Sequence, residues 1–80
     1  MLNEKELMMY EAQGKNIRLI CKDGNVLEGF CSEFSTAYDN DEPEEASLTL
    51  RYGKNITNNK SLYVLTEIYE SDIKVIEYLD

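Results

Sequence analysis

The sequence predicts a mainly β fold: a short N-terminal helix followed by five strongly bent antiparallel strands that curl into one small barrel. Three observations predict it. Hydrophobic spacing switches from helical to alternating after Gly14, an Asp23-Gly24 dipeptide separates two alternating runs, and nothing long enough for a parallel crossover lies between the later strands. Eighty residues make one domain, expected over 1–80, and a chain of this size hides only about two thirds of its unfolded surface. Oligomerisation is the expected reinforcement, since two cysteines and no histidine leave neither a disulfide framework nor a metal as a staple.

The helix is expected over about residues 3–13. Asn3 reads as its N-cap, Glu6 as the capping-box partner, Leu2 and Leu7 as a hydrophobic staple, and Gly14 as the terminator. Leu7, Met8 and Ala12 recur at helical spacing as its core face, and the opposite face carries both signs of charge, unlike a membrane-surface helix. The first strand, about 15–22, alternates Ile17, Leu19 and Cys21 with Arg18, Ile20 and Lys22. Asp23-Gly24 then predicts a type I′ turn that pairs position 21 with 26 and 31 with 16. Gly29, inside the return strand at about 25–35, marks a sharp bend. In that register Cys21 and Cys31 stand roughly 16 Å apart along the ladder, beyond disulfide reach, and read as small buried apolar groups of a reducing compartment.

Residues 39–46, DNDEPEEA, form an acidic connection whose Pro43 excludes a central strand. They do not make a calcium loop, because the third ligand position after Asp39 and Asp41 falls on Pro43 and the glycine beyond it is missing. The third strand, about 46–53, places Leu48, Leu50 and Tyr52 on one face. A polar turn region, GKNITNNK, leads to a long fourth strand at about 61–70 and a fifth at about 73–79, with only a short turn between them.

Eight basic against sixteen acidic residues give a net charge of −8, which repels phosphate at long range and argues against DNA as a partner. With no run of roughly 20 apolar residues and acids where a signal peptide would be basic and then apolar, no membrane partner is expected and the chain reads as cytoplasmic. The sequon at Asn55 reads as chance. No catalytic residues, cofactor or metal site emerge: histidine is absent, and no glycine-rich phosphate loop or nucleophile elbow occurs. Glu67 and Glu77 would serve as acid and base only if the fold joined them.

The helix, five short strands, Asp23-Gly24, Gly29 and Phe34 together resemble the Sm-like (LSm) family over nearly the whole chain, with Ile68–Ile73 leading into VIEYL at the place of its second motif. The resemblance implies an Sm-like (SH3-like) small barrel that assembles by pairing the last strand of one subunit with the long fourth strand of the next. Long edge strands with little blocking charge fit that expectation, and Tyr63, Leu65, Tyr69, Val75 and Tyr78 are its candidate interface residues. The tyrosines equally read as completing the barrel core. The resemblance also implies single-stranded RNA at the ring pore, but the matching positions are Ala37, Asp39 and Tyr69-Glu70, none with the expected stacking, amide or cationic chemistry. One inserted residue would instead place Tyr38 and Asn40 there. Residues 48–66 contain Arg51, Lys54 and Lys60 and no acid, which reads either as a locally basic edge or as exposed cations that serve solubility, three being few for a nucleic-acid footprint. The sequence therefore favours a non-enzymatic module that self-associates, scaffolds or binds a protein partner, with RNA binding through Tyr38, Asp39, Asn40 and Tyr69 as the alternative.

Overall fold

The computed structural model describes residues 3–36 and 45–79. The helix α1, Glu4–Glu11, starts where the side chain of Asn3 accepts from the Glu6 N–H at 2.7 Å and Glu6 Oε1 accepts from the Asn3 N–H at 3.2 Å, the capping box expected from the sequence. Leu2, the other half of the expected staple, lies outside the described residues. The buried face differs from the expected one. Met9 and Ala12 are fully buried, while Leu7 and Met8 are exposed. Two polar anchors fix the rotation: Lys5 Nζ donates to the Ile73 carbonyl at 2.8 Å and the Tyr78 hydroxyl to the Met8 carbonyl at 2.7 Å. The i, i+3 pair Met9 and Ala12 then faces the core.

Six strands follow: β1 Asn16–Cys21, β2 Val26–Ser35, β3 Ser47–Asn55, β4 Lys60–Ser61, β5 Leu65–Tyr69 and β6 Ile73–Tyr78, with a 3-10 turn at Glu70–Asp72 between the last two. All pairings are antiparallel, in the order β4-β3-β2-β1-β6 with β5 also on β3. The fourth strand predicted at 61–70 is thus two pieces. β4 and β5 run along the same edge of β3, but the register steps by one residue between Arg51↔Leu65 and Lys54↔Ser61, which is a bulge. Tyr52, expected inward with Leu48 and Leu50, sits at the bulge with φ 52° and is exposed.

The hairpin register also corrects the expectation. Ile20 pairs with Val26 and Leu19 with Leu27, one residue away from the predicted alignment. The loop is three residues long, Lys22–Gly24, closed by Gly24 N–H to Cys21 O at 3.0 Å and Cys21 N–H to Asn25 O at 2.8 Å. Only Gly24 takes a positive φ, 94°, so Asp23 does not adopt the type I′ conformation. The physical reason is burial. This register sets Leu27 opposite Leu19 in the core and leaves Glu28 outside opposite Arg18, where the predicted one would have turned Glu28 inward.

Gly29 does mark the bend. The β2–β3 register shifts beside it, and a Cβ there would stand 2.9 Å from the Gly53 Cα, so two glycines let the backbones approach where the sheet folds over. The curl encloses Ile17, Leu19, Leu27, Cys31, Leu48, Leu50, Ile68, Ile73 and Ile76, with Met9 and Ala12 of the helix contributing to the same core. Both cysteines are free and buried, in line with the sequence reading.

Candidate interaction surfaces

Among the described residues, β5 is paired on one side only, with β3, and β6 on one side only, with β1. The bent sheet thus ends in two strands whose outer backbone groups have no ladder partner, and the 3-10 turn joins them. Of the five interface candidates, Leu65 and Tyr69 lie on β5 and Val75 and Tyr78 on β6, while Tyr63 lies ahead of β5. None completes the core. Tyr63 is 86% exposed, and Leu65, Val75 and Tyr78 are also exposed. Tyr78 lies under Lys15, whose Nζ stands 4.8 Å from the ring centroid, so β6 is partly covered by the segment after the helix.

Of the RNA-site candidates, Tyr38, Asp39 and Asn40, with Ala37, lie outside the described residues. Tyr69 is described, and its surroundings are acidic. Its hydroxyl donates to Glu67 Oε1 at 2.8 Å, a bond that holds its pKa above the usual tyrosine value. Glu70 follows and accepts from Asn3 Nδ2 at 3.3 Å. Glu45 accepts from both the N–H and the hydroxyl of Ser71, at 3.0 and 2.7 Å, which draws its carboxyl below the ordinary range. Where the resemblance implies a cation for phosphate, the turn therefore gathers Glu45, Glu67 and Glu70.

Glu67 and Glu77 have separate partners: Glu67 holds the Ser47 and Tyr69 hydroxyls, and Glu77 meets Arg18 at 3.5 Å. Arg18 also pairs with Glu28 at 2.7 Å. The barrel end near the hairpin turn carries a cavity of about 580 Å³ lined by residues including Lys22, Asp23, Asn25, Asn55 and Asp72. Three of its polar side chains are joined: Asn25 donates to Asp23, and Asn55 donates to Asn25 while accepting from the Thr57 and Asn58 N–H groups. Asn55 is buried, so its sequon offers no accessible acceptor. The described residues contain no cluster of His, Cys, Asp or Glu suited to a metal, and no helix among them is long and apolar enough to cross a membrane.

A further surface was only half legible in the sequence. Arg51, Lys54 and Lys60 are exposed as their acid-free segment suggests, and Tyr52, expected to face inward, is exposed together with Phe30 and Val64, which the sequence did not mark. The signal available was Tyr52 next to Gly53, where a strand that must bulge carries a bulky ring.

No family model matches the chain, and no curated protein matches it. Among solved structures it is similar to a novel Sm-like archaeal protein from Pyrobaculum aerophilum, with a TM-score of 0.70 and 12% sequence identity over 92% of this chain. The chain spans about half of that protein, since the match covers 50% of it. At that identity the likeness carries the fold: the chain is an Sm-like small β barrel with one N-terminal helix.

Proposed function

We propose that this chain is a non-enzymatic Sm-like interaction module that self-associates through β5 and β6 and acts as a protein-binding or structural scaffold. The observation that carries the reading is the pair of one-sided strands at the two ends of one sheet. Unsatisfied backbone edges seek pairing, and because the two edges differ, a copy offering β5 fits a copy offering β6 in a head-to-tail contact that closes into a ring when the rotation allows. Leu65, Tyr69, Val75 and Tyr78 would be shielded in that contact, and the core of so small a barrel would gain cover. The carboxylates around Tyr69 favour this module over a pore that holds RNA. The two buried free cysteines accord with a reducing, cytoplasmic setting.

Light scattering at several protein concentrations tests the proposal. The expected mass is a multiple of 9.3 kDa, reduced by a proline at Glu67, whose N–H faces away from β3, so that the free edge of β5 is blocked. A 9.3 kDa particle at every concentration refutes self-association. Titration of labelled oligo-U and oligo-A at low salt, where electrostatic attraction is strongest, tests the non-RNA part; firm binding there would return the function to Tyr38–Asn40.

A further inference from the structure

The backbone groups left free on β5 and on β6 belong to residues whose side chains point to opposite faces of the sheet. On β5 the bonds from the Tyr52 N–H to the Val64 carbonyl and from the Glu70 N–H to the Ala46 carbonyl fix the alternation. Thr66 and Ile68 therefore turn their backbone groups to β3, and Leu65, Glu67 and Tyr69 turn theirs outward. Ile68 is buried, so the three outward residues carry their side chains on the outer face. On β6 the bond from the Leu79 N–H to the Asn16 carbonyl sets Val75 and Glu77 against β1 and leaves the backbone groups of Ile76 and Tyr78 outward. Here the side chains lie on the core side: Ile76 is buried, and the Tyr78 hydroxyl reaches the Met8 carbonyl of the helix.

Opposed residues of an antiparallel pair put their side chains on one common face. An antiparallel contact thus lays Leu65, Glu67 and Tyr69 of one copy on the helix side of its neighbour's β6, in every register that satisfies the free groups. A parallel contact would lay them on the face of Val75 and Glu77 instead. Glu67 would then join Glu77 on a face where Arg18 is already shared by Glu28 and Glu77, and parallel ladders are slightly the weaker per residue.

The helix side offers what such a row needs. A groove of about 490 Å³ runs between α1 and β6, lined by apolar groups that include Leu7, Met8 and Ile76 and by the charged groups Glu4, Lys5 and Lys74. Leu7 and Met8 are 48% and 41% exposed, large apolar side chains that their own core leaves uncovered. The incoming row alternates in kind, with apolar Leu65, acidic Glu67 and aromatic Tyr69, and its one carboxylate meets two cations against one acid. Lys5 already caps the Ile73 carbonyl at 2.8 Å, and the free length that remains, Ile76 to Tyr78, suits two of the three outward residues of β5.

We propose that the groove between α1 and β6 is the seat of the neighbouring copy's β5, with Leu65 and Tyr69 packed toward Leu7, Met8 and Ile76 and with Glu67 near Lys5 and Lys74. This seat exists only if copies associate through β5 and β6, the function proposed above, and it makes the N-terminal helix one wall of that contact.

Sedimentation velocity of the whole chain over a range of concentrations gives the association constants of the parent and of Met8→Glu, Glu67→Pro and Ile56→Glu. Met8→Glu puts a charge in the groove without touching the core and should weaken association by about tenfold or more, while its melt at dilutions where both proteins are monomeric matches the parent's. Ile56→Glu is the control for added charge: Ile56 is 44% exposed and lies between β3 and β4, so this variant should associate as the parent does. Variants with one added cysteine, mixed in pairs and joined by a short bismaleimide, read the face. Met8→Cys should link to Leu65→Cys or Tyr69→Cys and Glu77→Cys should not, with Cys21 and Cys31 buried and out of competition. A parent that stays at 9.3 kDa overturns the seat together with self-association. A parent that associates and is weakened by Glu67→Pro, yet is indifferent to Met8→Glu or links through Glu77 in place of Met8, overturns the seat and leaves the edge pairing standing. Weakening by Met8→Glu but not by Glu67→Pro would assign the groove to a segment other than β5 and overturns the seat as well.

Discussion

Replacing Gly29 with alanine asks whether the sheet folds over by direct contact of two backbones. The added Cβ would meet the Gly53 Cα at 2.9 Å and the Arg51 carbonyl oxygen at 3.6 Å, whereas nonbonded carbons settle at about 3.5–4.0 Å. The obstacle is backbone, so no side-chain rotation relieves it, and β2 and β3 must part by roughly half an ångström or more to restore that spacing. Overpacking of this kind costs about 1–3 kcal/mol. In a domain of this size each kcal/mol moves the melting temperature by about 4–8 °C, so the expected drop is roughly 5–20 °C. Gly24→Ala is the control, since nothing lies within 4 Å of its Cβ but its φ is 94°; its penalty is conformational alone, about 1–2 kcal/mol. Circular dichroism melts and urea midpoints at one fixed protein concentration measure both, and amide shifts of Arg51 to Lys54 should move only in the Gly29 variant. A Gly29→Ala protein that melts within a degree or two of its parent, with β3 amides unmoved, refutes the close approach and the bend built on it.

Three further outcomes follow from the structure. Met9→Ala should cost about 2–5 kcal/mol as a core truncation, and Met8→Ala under about 1, because Met9 is fully buried and Met8 exposed; urea titration separates them. Ser71→Ala should change the pH profile of stability: the Glu45 carboxyl is held low by the Ser71 N–H and hydroxyl, so its contribution is complete above the ordinary carboxylate pKa near about 4 and is lost as pH falls through the folded value. The variant should lose part of that acid-side slope in melts recorded from neutral pH downward. Cys31 is buried with its thiol pushed up to about 11, so at neutral pH it should resist iodoacetamide in the folded chain and react once urea unfolds it, as mass spectrometry reads.

Local chemistry in the sequence was enough to place the elements. Asn3 and Glu6 close a capping box within one turn, Ile17, Leu19 and Cys21 alternate inward, and Gly29 sits at the fold of the sheet; each depends on neighbours a few residues away or on the period of one strand. The rest was set by which parts of the chain meet. Nothing in the sequence next to Met8 or Met9 says which faces the core, because the rotation of the helix is fixed by Lys5 and Tyr78 reaching across to residues far along the chain. A one-residue difference in the hairpin register depended on seating Leu27 rather than Glu28 opposite Leu19. Gly53 matters only because Gly29 arrives beside it, and Tyr52 is turned out by a bulge defined by β4 and β5 as much as by β3. Periodicity and local chemistry thus determined the helix, the first strands and the place of the reversal at Asp23-Gly24, while tertiary packing decided the hairpin's register and turn type, the split of the fourth strand and the two open edges, since a backbone group is unpaired only relative to what the rest of the chain brings to it.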